Sequence, residues 1–550
     1  MADNSIAISS KGHESYIDHK GKHSGLLGWI FSTDHKRIAI LYLVAISSWF
    51  LIAVLLGFLI RLELLTPGET IVGAQTYNAF FTLHGIIMVF LFVIPAIPAI
   101  FGNFFLPIML GAKDVAFPRL NLFSWYLYII GGIFVIIAIF LPGGAPDSGW
   151  TFYIPYSIRT STNMIFTLSA AFILGFSSIV TGLNFIVTIH RMRAPGMSWF
   201  RMPLFPWALY ATGWIQVLVT PIIGITLLLI IVERVFRVGL FDPSLGGDPV
   251  LYQHLFWIYS HPAVYIMAVP AMGVITEIIT VYSHKTIFGY KAIAFSSLAI
   301  ALFGSLVWGH HMFSAGMSDT ANFIFSLLTF LVAIPSAIKV FNWTATLYKG
   351  SIDLEPPMLY GLAFIFLFTI GGLTGIMLGT LSLDIHLTDT TFVVGHFHYV
   401  IFGTTGFAFI GGLYHWFPKM FGRTYNKKLA KISFWILLVG FNILYFPMFV
   451  MGWLGMPRRS YDYLPEYQSY HVISTIGSWI LILALIIIVY TFIKALRSGK
   501  RTREINYCGG ETLEWKVETP PTHENFDDIP IITGGPYDYK QNELESEVVN

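Results

Sequence analysis

Twelve long apolar runs decide what this chain can fold into. They lie near 37–62, 79–110, 121–142, 163–190, 205–233, 252–283, 289–315, 321–348, 357–380, 391–417, 431–453 and 470–495. Each reaches the roughly 20 residues that a helix needs to cross a bilayer. Lipid offers no hydrogen bonds, so each run must satisfy its own backbone as a helix. The expected fold class is all-α, a polytopic membrane bundle of twelve transmembrane helices over residues 37–497. A polar segment, 1–36, precedes it and a polar tail, 498–550, follows. Charged residues make up 11% of the chain, against roughly 25% in soluble domains. That leaves no room for a large soluble domain.

The flanking charges set an orientation. Segment 1–36 has no apolar core before a cleavage site, so it does not read as a secretory signal. Placed in the cytoplasm, it puts the C-terminus there as well after twelve crossings. Cationic loops are expected inside, and the loops then facing inward carry Lys113, Arg119, Arg191, Arg193, Lys285, Lys291, Lys349, Lys419, Arg423, Lys427, Lys428 and Lys431. The outward loops hold no lysine but do hold Arg61, Arg234, Arg458 and Arg459. The net charge of +2 gives no reason to expect nucleic acid. The single cysteine, Cys508, excludes disulfides within the chain, cysteine-held clusters and any dinuclear copper–thiolate centre.

Histidines on the spans carry the chemistry. An ionisable group in hydrocarbon is costly unless paired or coordinated. His84, His261, His310, His311, His396 and His398 fall on four spans: the second, sixth, seventh and tenth. One such histidine could be a packed, hydrogen-bonded residue; six of them, including HH and HFH, point to metal. Residues two apart on a helix diverge by about 200°, so His396 and His398 face opposite ways and each suits a separate haem iron. His84 is a candidate partner for one of those irons. His261, His310 and His311 form a three-imidazole set that suits copper or zinc with one position open.

The strings HPAVYI, VWGHHMF, VVGHFHYV, GAKDVAFPRLN and GMPRR resemble their counterparts in subunit I of cytochrome c oxidase, within the haem–copper oxidase superfamily. The similarity runs from about residue 28 to the LEW of the tail. The resemblance implies reduction of dioxygen to water, coupled to proton translocation, in a respiratory chain. By it, His84 and His398 ligate the low-spin haem a, His396 the high-spin haem a3, and His261, His310 and His311 the copper called CuB. Tyr265 matches the tyrosine that is cross-linked to the copper-ligating histidine and supplies an electron and a proton when the O–O bond breaks. Its presence disfavours nitric oxide reductase relatives, as does Lys339.

Proton supply follows from the same resemblance. Lys339, in AIPSAIKVF, reads as the only lysine deep in a span; with Ser336 and Thr276 it matches one pathway. Asp114 matches the mouth of a second, continued by Asn121, Asn184, Ser177 and Ser178. Many relatives read HPEVY where this chain reads HPAVY, so Ala263 replaces the glutamate that ends the second pathway. Tyr259 and Ser260 match a subgroup in which a Tyr–Ser pair takes its place, and Tyr259 lies four residues before Ala263.

Further expectations come from loop residues. Arg458 and Arg459 match the pair that binds haem propionates, with Trp150 in the loop covering that region. Arg61 matches the residue that bonds the formyl group of haem A. Asp389 keeps one ligand of a magnesium or manganese site in which Thr388 replaces a histidine, and His386 is no obvious substitute. Glu63 and Gly68 resemble contributors to a calcium or sodium site. Thr76 and Ala79 stand where quinol-oxidising relatives carry His and Gln, which favours cytochrome c as donor. Electrons would then arrive through a dinuclear copper centre on a subunit II, with a subunit III also expected. The host membrane expected is the bacterial inner membrane.

Overall fold

The computed structural model describes residues 14–21 and 23–539. Twelve helical spans among them are long and apolar enough to cross a membrane. These are α1 (His35–Glu63), α2 (Ala74–Leu110), α3 (Pro118–Phe140), α4 (Met164–Arg191), α5 (Leu204–Phe236) and α6 (Pro249–Ser283). The second half comprises α7 (Tyr290–Met312), α8 (Asp319–Leu347), α9 (Pro356–Gly379), α10 (Thr391–Phe421), α11 (Lys427–Trp453) and α12 (Pro465–Ser498). They match the twelve apolar runs one for one.

Local chemistry explains the ends. Asp34 caps α1 by accepting from the Lys36 and Arg37 N–H groups, and Asp248, Ser318 and Asn426 cap α6, α8 and α11 in the same way. Such caps satisfy donors that have no partner inside the helix. Gly111 and Gly422 stop α2 and α10 at φ +71° and +60°, where a side chain would be strained.

Burial ranks the spans. The most apolar window of α6 is 89% buried, against 17% for α1 and α8. The helix that carries His261 and Tyr265 therefore runs through the middle, while α1 and α8 present flanks to the surroundings.

Three spans depart from regular helices, which hydropathy does not reveal. In α2 the turns widen to π-helix over Ile87–Val93 and Ala96–Gly102, where Pro95 and Pro98 remove ladder donors. In α10 they widen over Ile401–Gly406. Wide turns are rare and recur near functional sites; here they follow His84 and His398. Span α7 breaks after Gly304 and resumes as a 3-10 turn over Trp308–Met312. His310 and His311 thus sit on a tight turn, not on the regular helix expected. Gly309 makes this approach feasible, since a Cβ there would lie 2.2 Å from the Phe325 ring.

The tail packs on one end of the bundle. Asn525 bonds the Ala112 and Lys113 carbonyls and accepts from Lys36 Nζ at 2.8 Å. Lys419 Nζ donates to the Ile505 and Val517 carbonyls. Lys36 and Lys419 are both fully buried as well. Both sit near helix ends, and the tail roofs them over. Tyr537 reaches the buried Glu277 of α6 at 2.6 Å.

Candidate active site

A cavity of about 940 Å³ occupies the middle of the bundle, and all six histidines line it. Tyr265, Trp150, Arg61, Arg458, Arg459, Tyr259, Ser260, Ser336 and Asp389 line it too.

On one wall His261, His310 and His311 converge, their ligand nitrogens within 4.8 Å of one another. No other group of three metal-ligating side chains gathers so closely among the described residues. His261 Nδ1 lies 3.0 Å from His311 Nε2, while its Nε2 lies 3.1 Å from the Tyr265 hydroxyl. The spacing of four residues on α6 sets that second contact. Thr329 of α8 holds His310 Nδ1 at 3.0 Å, and Trp257 stacks on the His311 ring at 3.8 Å. Gly304 leaves the Tyr265 ring its place, since a Cβ would stand 2.4 Å from it.

The other three histidines are each held through Nδ1. His396 Nδ1 bonds Thr374 Oγ1 on α9 at 3.1 Å. His398 Nδ1 donates to the Val394 carbonyl at 2.8 Å, and its ring stacks on Tyr445 of α11 at 4.2 Å. The two rings thus face different helices, as their spacing predicts. His84 Nδ1 bonds the Ala53 carbonyl at 2.8 Å. Engaging Nδ1 fixes each ring and leaves Nε2 for a metal. Gly375 and Gly57 make the cradles: a Cβ would lie 2.9 Å from His396 Cε1 and 3.0 Å from His84 Cε1. Arg61 donates to the His471 carbonyl at 2.9 Å, yet its buried Nε has no protein partner. The cavity, the cradles and this spare donor fit two flat, metal-bearing groups with polar substituents.

The sequence profile described as Cytochrome C and Quinol oxidase polypeptide I matches residues 37–480. The chain belongs to that subunit I family. It is 44% identical over 510 residues to cytochrome c oxidase subunit 1 of Thermostichus vulcanus, covering 92% of both chains. It is 40% identical over 514 residues to the same subunit of Bacillus subtilis, covering 93% of this chain and 82% of that one. Its fold matches a haem–copper terminal oxidase seen by cryo-electron microscopy as a dimer, at TM-score 0.68, 20% identity and 85% coverage of each chain.

Around the cavity of this subunit I, the expected loop residues divide. Trp150 packs against Gly85, where a Cβ would come within 3.0 Å, and Arg459 lies over Phe81, its guanidinium 5.8 Å from the ring centre. Arg458 pairs with Asp389, Nε to Oδ1 at 2.7 Å. The carboxylate expected to hold magnesium is thus neutralised by an arginine expected to hold a propionate. Nearby Asp384, unmarked by the sequence reading, is buried in the short helix Leu381–Leu387 before α10; burial, then the Asp389 charge, pushes it up to about 7. Its signal was an acid set between the apolar Leu383 and Ile385 of SLDIHL. Glu63 accepts from the backbone N–H groups of Thr70, Ile71 and Val72, so both its oxygens brace the loop. The Gly68 N–H donates to Asp462.

The residues expected on proton pathways fall into two groups. Lys339 Nζ points at α7, donating to Ser297 Oγ at 2.8 Å and the Ile293 carbonyl at 3.3 Å. Thr276 instead accepts from Trp343 Nε1, and Ser336 donates to its own helix at Val332. On the other side Asp114 lies in the loop after α2, where burial and then the Asp34 charge push its carboxyl up to about 7. Asn184 bonds the Phe117 backbone, and both polar atoms of buried Asn121 lack a protein partner. Beyond them Tyr42 bonds Ser124 and Ser177. A 30 Å³ cavity follows, where Ser177, Ser178, Thr181 and Gln216 meet apolar side chains that include Phe90, Ile94 and Leu174. Tyr42, Ser124, Thr181 and Gln216 escaped the sequence reading because single polar residues are common on spans.

Proposed function

We propose that this chain is the catalytic subunit of a respiratory terminal oxidase, reducing dioxygen to water with electrons from cytochrome c and coupling this to proton translocation. The observation that carries the reading is the His261–His310–His311 cluster with Tyr265 beside it, opening on a cavity that His396 shares. In this reading His84 and His398 hold a low-spin haem, His396 a high-spin haem, and the three clustered histidines a copper ion. When bound, these groups supply electron transfer and the paired metals at which dioxygen is reduced.

The chain's own residues do the rest. Tyr265 holds a proton on its hydroxyl at the cavity wall, poised for a general acid's task. Thr374 and the carbonyls of Ala53 and Val394 fix the imidazoles that take iron. Arg458 and Arg459 offer guanidinium forks that suit propionate carboxylates. Arg61 has a spare N–H for a polar ring substituent, which favours haem A. Lys339 and Asp114 begin the stores that deliver protons to the cavity. Cys508 cannot build a dinuclear copper centre alone, so cytochrome c delivers electrons through a subunit II, with a subunit III completing the complex. Both termini face the cytoplasm of a bacterial inner membrane.

The deciding experiment uses the purified complex. Reduced and carbon-monoxide difference spectra should show two haems, one of them binding carbon monoxide, with copper by elemental analysis and oxygen uptake driven by reduced cytochrome c. A single haem, or non-haem iron in place of copper, would overturn the ligand set and with it the oxidase reading.

A further inference from the structure

The central cavity has a seventh imidazole in its wall, beyond the six read as metal ligands. His471 sits in the first turns of α12 and is 1% exposed. Its Nδ1 lies 3.3 Å from Arg61 Nη2, and its carbonyl accepts from the same nitrogen at 2.9 Å. A guanidinium donates and never accepts. His471 Nδ1 therefore meets Arg61 as an acceptor, and the ring proton sits on Nε2. Thr475, one turn along, accepts from Nη2 at 3.2 Å and donates to the Arg61 carbonyl at 2.9 Å. Tyr463 packs on the imidazole at 4.0 Å between ring centres, and its own hydroxyl donates to the Leu64 carbonyl. The imidazole is thus gripped on one face and at one nitrogen.

Arg61, its partner, belongs to the wall that holds His84. Ala53, Gly57 and Arg61 recur every four residues on α1 and share one face. The Ala53 carbonyl bonds His84 Nδ1, and a Cβ at Gly57 would stand 3.0 Å from His84 Cε1. Arg61 continues that face by one turn toward the end of the helix. Two buried donors remain there without a protein partner, Arg61 Nε–H and His471 Nε2–H. An unmet donor in the interior is costly, and an apolar ring edge would leave both unmet. An oxygen-bearing edge on the group that His84 binds gives both a use.

We propose that His471 is a positioning residue for the low-spin haem. It holds Arg61 through Nδ1, and its Nε2–H joins Arg61 Nε–H as a donor to oxygen at the rim of that haem. The inference rests on the reading of His84 and His398 as ligands of one haem, with Arg61 at its polar substituent. Neither donor touches iron, so the effect is on the ring: a hydrogen bond draws electron density to the carbonyl oxygen and weakens the C=O bond. Losing it should raise the carbonyl stretching frequency and move the low-spin visible band. The haem held by His396, which binds carbon monoxide, should not respond.

The test is resonance Raman and visible spectroscopy of the purified complex, with Arg61→Met as the reference for an unbonded carbonyl. His471→Leu should shift both signals most of the way to the Arg61→Met positions. His471→Asn puts an acceptor where Nδ1 stood but lacks the outer N–H, so it should fall between the parent and His471→Leu. Carbon monoxide binding should match the parent throughout, which a general loosening of the bundle would not leave untouched. Parent positions in both His471 variants, with Arg61→Met shifted, would overturn the role of His471 and keep the Arg61 reading. An unshifted Arg61→Met would overturn both. Equal changes at both haems in the His471 variants would mark a packing role and overturn the proposal. Where His471→Leu retains no haem, His471→Asn decides alone: parent positions overturn the proposal, and positions between parent and Arg61→Met carry it.

Discussion

Tyr265 presents its hydroxyl to His261 Nε2 at 3.1 Å, one helical turn along α6, while His261 Nδ1 faces His311 at 3.0 Å. The imidazole thus has one nitrogen toward the cluster and one toward the phenol, so Tyr265 can serve the site without competing for the metal. Tyr265→Phe should leave haem absorbance and copper content unchanged. Oxygen reduction should fall by roughly 10²–10⁴-fold, the usual contribution of a positioned acid. Oxygen-electrode rates beside spectra of the same sample check this, and a fast Phe variant would remove Tyr265 from the chemistry.

Thr329 supports the copper site from behind, bonding His310 Nδ1 at 3.0 Å from the neighbouring helix. Losing such a support costs roughly 10–100-fold in metal affinity. Thr329→Val should therefore shed copper to a chelator at concentrations that leave the parent complex loaded, while both haems remain. Elemental analysis after graded chelator treatment gives the answer. Equal retention would mean that the Thr329 contact does not orient the ligand.

Much of this architecture was legible because lipid makes its demands in sequence. Twelve spans follow from hydropathy alone, and histidines are conspicuous where imidazole is costly. What stayed hidden depends on contacts between distant segments or on departures from ideal helix. Lys419 read as a loop cation and Lys36 as part of the polar leading segment, but residues far along the chain in the tail bury both. The tight turn under His310 and His311 depends on Gly309 meeting Phe325 of the next span. Nor does the sequence reveal that three backbone N–H groups in its own loop donate to the Glu63 oxygens. Gln216 gave no signal, because a glutamine on a span draws notice only once its neighbours are known.

Two glycines make separate predictions about the two irons. A Cβ at Gly375 would stand 2.9 Å from His396 Cε1, and one at Gly57 would stand 3.0 Å from His84 Cε1. Gly375→Ala should displace the His396 ring and weaken the carbon-monoxide-binding haem while sparing the other. Gly57→Ala should do the reverse, disturbing the haem that does not bind carbon monoxide. Reduced-minus-oxidised and carbon-monoxide spectra separate the two; the same signature from both variants would refute the separate assignment of His84 and His396.

Asp114 predicts a pH dependence whose direction can be worked out. Burial and the nearby Asp34 charge push its carboxyl up to about 7, against roughly 3.9 for a free aspartate. Below about pH 7 the group holds a proton to pass inward; above it the carboxylate must be refilled first. Turnover should therefore decline as pH rises through about 7, and Asp114→Asn should be slow at every pH without that inflection. Stability should fall with rising pH as well. Between the unfolded and folded values the folded chain binds the extra proton, so Asp114 costs stability as pH rises across that window. Asp114→Asn removes the cost, and at pH 8 its thermal midpoint should equal or exceed the parent's. A slow variant that also melts earlier at pH 8 would assign Asp114 to holding the loop rather than passing protons.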